Sequence, residues 1–116
     1  MTSATKLLLV DDEELLLKAL RLPLGRHCEV ACALTIDEAL AELEKGTFDV
    51  VMSDFDLHDR MNGVEFLALI SERFPLIRRV LHTGAIYNAR ATASFGAVQV
   101  CVEKPATLNQ ILAALG

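Results

Sequence analysis

The chain has 116 residues, 53% of them hydrophobic, and its 16 acidic and 11 basic side chains give a formal charge of -5. That length suits one domain with an ample buried core, and the acidic balance excludes a general electrostatic grip on DNA or on an anionic membrane surface. No apolar stretch approaches the roughly 18 to 20 residues that span a bilayer, and Met1 to Lys6 lacks the basic-then-apolar layout of a signal peptide, so a cytoplasmic chain is expected.

Short apolar runs alternate with segments of helical period. Leu7 to Val10 is a compact buried strand that closes on two adjacent carboxylates, Asp11 and Asp12. Glu13 to about Leu22 is a helix, stopped by Pro23 and Gly25. Glu29 to Leu34 is the second strand. Ile36, Ala39, Leu40 and Leu43 recur at helical spacing, Thr35 with Glu38 forms a capping box, and Gly46 ends that helix. Phe48 to Ser53 is a third strand, nearly continuous in apolar residues as a strand covered on both faces requires, and it delivers a third carboxylate at Asp54.

Asn62 and Glu65 have the spacing of an N-cap and its N3 partner for a helix that carries Phe66, Leu67, Ile70 and Phe74 inward until Pro75. Arg79 to Thr83 is a fourth strand, Asn88 to Phe95 a short, weakly patterned helix, and Val98 to Val102 a fifth strand. Thr107 and Gln110 box the last helix, along which Leu108, Ile111, Leu112 and Leu115 repeat. Three cysteines, an odd number without secretory features, read as reduced core residues. Cys28 and Cys32 share a strand face beside His27, but zinc would need a fourth ligand and tighter clustering.

Five β-then-α units call for a flavodoxin-like (βα)5 three-layer α/β sandwich with a five-stranded parallel sheet and right-handed crossovers. Ligands of such sheets bind outside the carboxyl ends of the strands, and Asp11, Asp12, Asp54, Thr83 and Lys104 all fall on that edge. Carboxylates concentrated there suit a hard cation with phosphate chemistry beside it.

Val10-Asp11-Asp12-Glu13, Ser53-Asp54 with Asn62-Gly63 after it, Leu81-His82-Thr83-Gly84 and Glu103-Lys104-Pro105 stand in this order at strand ends. With them the chain, from Lys6 to Leu115, closely resembles the receiver domain of bacterial two-component response regulators. The resemblance implies that Asp54 is the nucleophile that takes a phosphoryl group from a phosphohistidine. It implies Mg2+ (or Mn2+) held by Asp11 or Asp12, Asp54 and the backbone carbonyl of Asp56, with Asp12 the direct ligand and Asp11 the water-mediated one. Lys104 supplies a cation to a phosphoryl oxygen, and the Thr83 hydroxyl a hydrogen bond made only once that group is in place. In the family that bond shifts the loop after the fourth strand, and the peptide before Pro105 is often cis. The implied partners are a histidine kinase or phosphotransfer protein and a downstream effector or output domain, and the only chemistry is self-phosphorylation and autodephosphorylation of Asp54.

Four positions shape what is carried over. His58 replaces a proline usual in the loop after the phosphoacceptor, and Asp54 to Gly63 is one residue longer than the commonest form, so a more mobile loop is expected. Cys101 stands where the family has a switching Tyr or Phe, so either backbone shifts alone couple Thr83 to the output or the domain signals weakly through that face. Asp56 and Ala85 occupy positions that govern how water reaches the phosphoryl group. His82 points away from Thr83 by strand alternation and is expected to be packed.

A rival from another class is a phosphorylation-independent receiver-fold interaction module, which Cys101 and His58 keep open. Asp54-Phe55-Asp56 also resembles the Asp-x-Asp of haloacid-dehalogenase phosphatases, but that motif should close the first strand of a longer chain. The chain ends at Gly116, directly after the last helix, and is expected to be one receiver domain over 1–116, standing alone or cut from a longer regulator. Arg73, Arg78, Arg79 and Arg90 form no dense basic run, so no direct nucleic-acid contact is expected. Ala91-Thr92-Ala93-Ser94 offers little charge pairing for self-association, so a monomer or weak homodimer is expected.

Overall fold

The computed structural model describes residues 5–84 and 96–116. The helix expected over Asn88 to Phe95 lies outside the described residues, as does Ala85. The elements run β1 (Thr5–Val10), α1 (Glu14–Gly25), β2 (Cys28–Ala33), α2 (Ile36–Lys45), β3 (Val50–Ser53), α3 (Gly63–Arg73), β4 (Arg78–Thr83), β5 (Val100–Glu103) and α4 (Leu108–Ala114). The five strands form one parallel sheet in the order β2-β1-β3-β4-β5. This is the flavodoxin-like order, whose switch in direction between β1 and β3 opens a crevice at their carboxyl ends.

Strand alternation divides the core into two. Leu8, Val10, Val51 and Leu81 pack on one face against Ile36, Leu43, Phe66 and Ile70 of α2 and α3. Leu7, Leu9, Met52, Val80 and Val102 pack on the other against Leu17 and Leu24 of α1 and Ile111 of α4. All four residues of β3 are buried, the central strand of a sheet covered on both sides. At about 25 cal/mol per Å² of apolar surface, these faces supply most of what drives the layers together.

The helix signals hold with informative exceptions. Asn62 with Glu65, and Thr107 with Gln110, form complete capping boxes at the starts of α3 and α4. At α2, Thr35 caps Glu38 N, but the Glu38 carboxylate reaches Leu34 N at 3.1 Å, one residue before the expected Thr35 N. Pro23 does not stop α1, which continues to Gly25. Proline forfeits one backbone bond there, and the next residue, Leu24, is fully buried and anchors the last turn. β3 starts at Val50 and not Phe48, and β5 runs Val100–Glu103 and not Val98 to Val102. The three cysteines are free thiols, and the Cys28 thiol donates to Leu24 O at 3.2 Å.

Candidate functional site

Three of the expected residues sit one step past a strand end, and the sheet's own ladder holds each there. Asp11 N donates to Ala33 O (3.1 Å), Asp54 N to Val10 O (2.9 Å) and Lys104 N to Thr83 O (3.1 Å). Parallel pairing thus aims side chains from β1, β3 and β5 at one crevice. Asp11 also starts α1, because its Oδ1 accepts from Glu13 N at 2.9 Å where the N-cap residue itself offers no side-chain bond.

Carboxylate oxygens of Asp11, Asp12 and Asp54 all lie within 4.8 Å of one another. The Lys104 ammonium reaches Asp11 Oδ2 at 2.9 Å and Asp54 Oδ1 at 3.3 Å. Asp54 is only 8% exposed, and its carboxyl is pushed up to about 6 by burial and then by the Asp11 charge, against the pull of Lys104. Burial pulls the Lys104 ammonium down, but the hydrogen bond to Asp11 and the Asp54 charge outweigh it and leave its pKa raised. Thr83 closes β4, is buried, and pairs in register with Glu103. Cys101, in register with Leu81, lies on the same sheet face as Thr83 by alternation.

The Asp56 side chain does not join the three carboxylates; it is 70% exposed, with Oδ2 3.5 Å from His58 Nε2. His58 has a positive φ of 49°, and its Nδ1 donates to Asp12 Oδ2 at 2.5 Å. Histidine is among the side chains that tolerate that left-handed backbone. The Asp12 hydrogen bond, then the Asp56 charge, raise the His58 pKa. The loop expected to be more mobile makes several contacts: Leu57 is buried, Asp59 Oδ2 accepts from Ile36 N at 3.1 Å, and Arg60 pairs with Asp37 at 2.9 Å. In the sequence His58 stands out only as a departure from proline, and its position between Asp56 and Asp59 is the signal that it faces carboxylates.

The family model for the response regulator receiver domain matches residues 7–116. The chain belongs to this family. Among solved receiver structures it is similar to a CheY-like receiver domain protein from Methanospirillum hungatei, at 26% identity and a TM-score of 0.86 over 96% of this chain and 90% of that one. The signal receiver domain of an HD domain-containing protein from Pseudomonas fluorescens is 30% identical, with a TM-score of 0.88 over 99% of this chain and 86% of that one. A response regulator from Burkholderia pseudomallei, solved with a phosphorylated aspartic acid, a calcium ion and citrate, is 29% identical, with a TM-score of 0.85 over 97% of this chain and 66% of that one. No protein with a curated description matches the chain.

Receiver domains generally bind Mg2+ at a cluster of aspartates, and the donor set of this receiver domain fits such an ion. Three carboxylates face one ammonium, so the group holds more negative charge than Lys104 neutralises, and hard oxygen donors suit a hard divalent cation. Behind the carboxylates lies a cavity of about 10 Å³ lined by Leu17, Leu20, Met52 and His82. His82 is buried as expected, and its Nε2 finds no hydrogen-bond partner among the described residues. Burial, then the nearby Lys104 charge, lower its pKa to about 4. The Lys104–Pro105 peptide is cis. Among the described residues no helix is long and apolar enough to cross a membrane.

Proposed function

We propose that this receiver domain, acting as one unit over 1–116, accepts a phosphoryl group on Asp54 from the phosphohistidine of a partner histidine kinase or phosphotransfer protein. The observation that carries this is the placement of the Asp54 carboxyl, buried, within 4.8 Å of Asp11 and Asp12 carboxylate oxygens and 3.3 Å from the Lys104 ammonium. A buried carboxylate with its electrostatics arranged in this way is built to react and not merely to fold.

An Asp54 oxygen attacks phosphorus, the P–N bond of the phosphohistidine breaks, and the imidazole leaves with the electron pair. Asp11, Asp12, Asp54 and the Asp56 carbonyl would hold a divalent ion, which would supply the positive charge that lets two anions meet. Lys104 needs to move little to exchange its Asp54 contact for a phosphoryl oxygen. The Thr83 hydroxyl, at the end of the neighbouring strand, turns toward the new group and carries its presence into the segment after β4. The partner that reads that change is a downstream effector or output domain.

Intact-mass spectrometry after incubation with acetyl phosphate, with and without Mg2+, tests the reading. A Mg2+-dependent gain of one phosphoryl group, abolished by Asp54→Asn, is expected. A folded protein that takes up no phosphoryl group would instead support a phosphorylation-independent interaction module, the alternative that His58 and Cys101 keep open.

A further inference from the structure

Resting on the reading of Asp11, Asp12 and Asp54 as a divalent-cation site, we propose that His58 is an additional ligand of that cation and shifts the site toward Co2+ and Ni2+ relative to Mg2+. The left-handed backbone at His58 turns its ring back over the acidic group, so that Nδ1 meets Asp12 Oδ2 while Nε2 faces Asp56 Oδ2 at 3.5 Å. The ring is 72% exposed, and the contacts that orient it are these two carboxylates.

A metal-binding histidine places one ring nitrogen on the ion while the other donates to an outer carboxylate that fixes the tautomer, and Asp56, 3.5 Å from Nε2, is placed for that second role. When a cation binds Asp12 it takes the place of the Nδ1 proton, which passes to water. The ring keeps a proton on Nε2 for Asp56, and the Nδ1 lone pair faces the ion. Asp56 then serves the site twice, through its main-chain carbonyl and as the positioning residue for His58.

The consequence lies in selectivity. Mg2+ takes oxygen donors and keeps its waters, so it gains little from an imidazole, whereas nitrogen donors favour the later transition metals. A proline at this position would give an all-oxygen site, and His58 makes it mixed. Of the three histidines, His82 is buried, and His58 is the one whose ring contacts a member of the acidic group, through Asp12, from just outside the set of atoms that Asp11, Asp12 and Asp54 bring within 4.8 Å of one another.

The test is calorimetric titration of the full chain with Mg2+, Co2+ and Ni2+ in the absence of phosphodonor, every sample carrying His27→Gln to silence that exposed ring. The test variant is His58→Asn, which tolerates the left-handed backbone. Ni2+ and Co2+ affinity should fall by at least about tenfold with Mg2+ affinity within about twofold of wild type, and Asp56→Ala should lower Ni2+ affinity in the same direction. The visible Co2+ spectrum should change with His58→Asn. Mg2+ binding with an unchanged Ni2+ to Mg2+ ratio in His58→Asn would overturn the ligand role and leave the acidic site standing. Metal binding indifferent to Asp12→Asn and Asp54→Asn would overturn the cation site itself.

Discussion

Gly63 presses its α-carbon against the main chain of Asp54, so closely that a β-carbon there would overlap the Asp54 carbonyl. Gly63 N also donates to Phe55 O at 2.6 Å, so the start of α3 and the end of β3 share one packed backbone joint. Gly63→Ala forces that joint apart. We expect a loss of at least about 2 kcal/mol in unfolding free energy, as for overpacking in a close-packed interior, and slower phosphoryl uptake because Asp54 itself must shift. Urea unfolding and a phosphorylation time course would check both, and an unperturbed variant would mean the joint yields elsewhere.

Asp54 is held above its ordinary range in the folded protein, at about 6 against 3.8. A carboxyl with a raised folded pKa contributes stability below pH 4, and that contribution is lost as pH rises through 6. Asp54→Asn should therefore stabilise the metal-free protein at pH 7 by about 1 to 3 kcal/mol, a gain that shrinks toward zero at pH 4. Urea melts in a chelating buffer across that range measure it; a destabilised Asp54→Asn at pH 7 would show that the Lys104 contact outweighs burial and the Asp11 charge.

His82 runs the opposite way. Its folded pKa lies near 4 against 6.5 unfolded, so its stability contribution is complete above pH 6.5 and is lost as pH falls toward 4. The expected loss is at most about 3 kcal/mol, in a window that overlaps the gain from protonating Asp54, so the wild-type profile hides both. His82→Leu removes the orphaned Nε2 and should flatten the acid limb while leaving phosphoryl uptake at pH 7.5 within about twofold. A limb as steep as that of wild type would place the acid sensitivity elsewhere.

Cys101 stands on the Thr83 face where an aromatic ring could report Thr83's movement. Cys101→Tyr should leave phosphoryl uptake intact and should strengthen any phosphorylation-dependent change in partner binding. Loss of uptake, measured by intact mass, would mean that Cys101 supports the site itself.

The order of strands and helices was legible because each carries a local signal: a continuous apolar run for β3, paired caps at Asn62 and Thr107, glycine after α2. The edge on which Asp11, Asp54 and Lys104 meet was legible too, since strand ends in a parallel sheet share one side. What the sequence did not reveal depends on distant geometry. Proline at position 23 reads as a stop, yet burial of Leu24 carries the helix past it. The His58 ring finds Asp12 across 46 residues, and only the backbone angle at His58 shows that it turns that way. The close approach of Gly63 to Asp54 likewise has no periodicity to betray it.

The bond from Lys104 to Asp11 joins residues 93 apart, so a contact at the reactive edge ties the first strand to the segment after the last one. A chain still emerging from the ribosome holds its acidic pair long before the ammonium that tempers it exists. The ammonium that faces Asp11 and Asp54 is therefore in place only once β5 has joined the sheet. An acidic edge complete with its counter-charge is thus a mark of a sheet closed from β1 to β5.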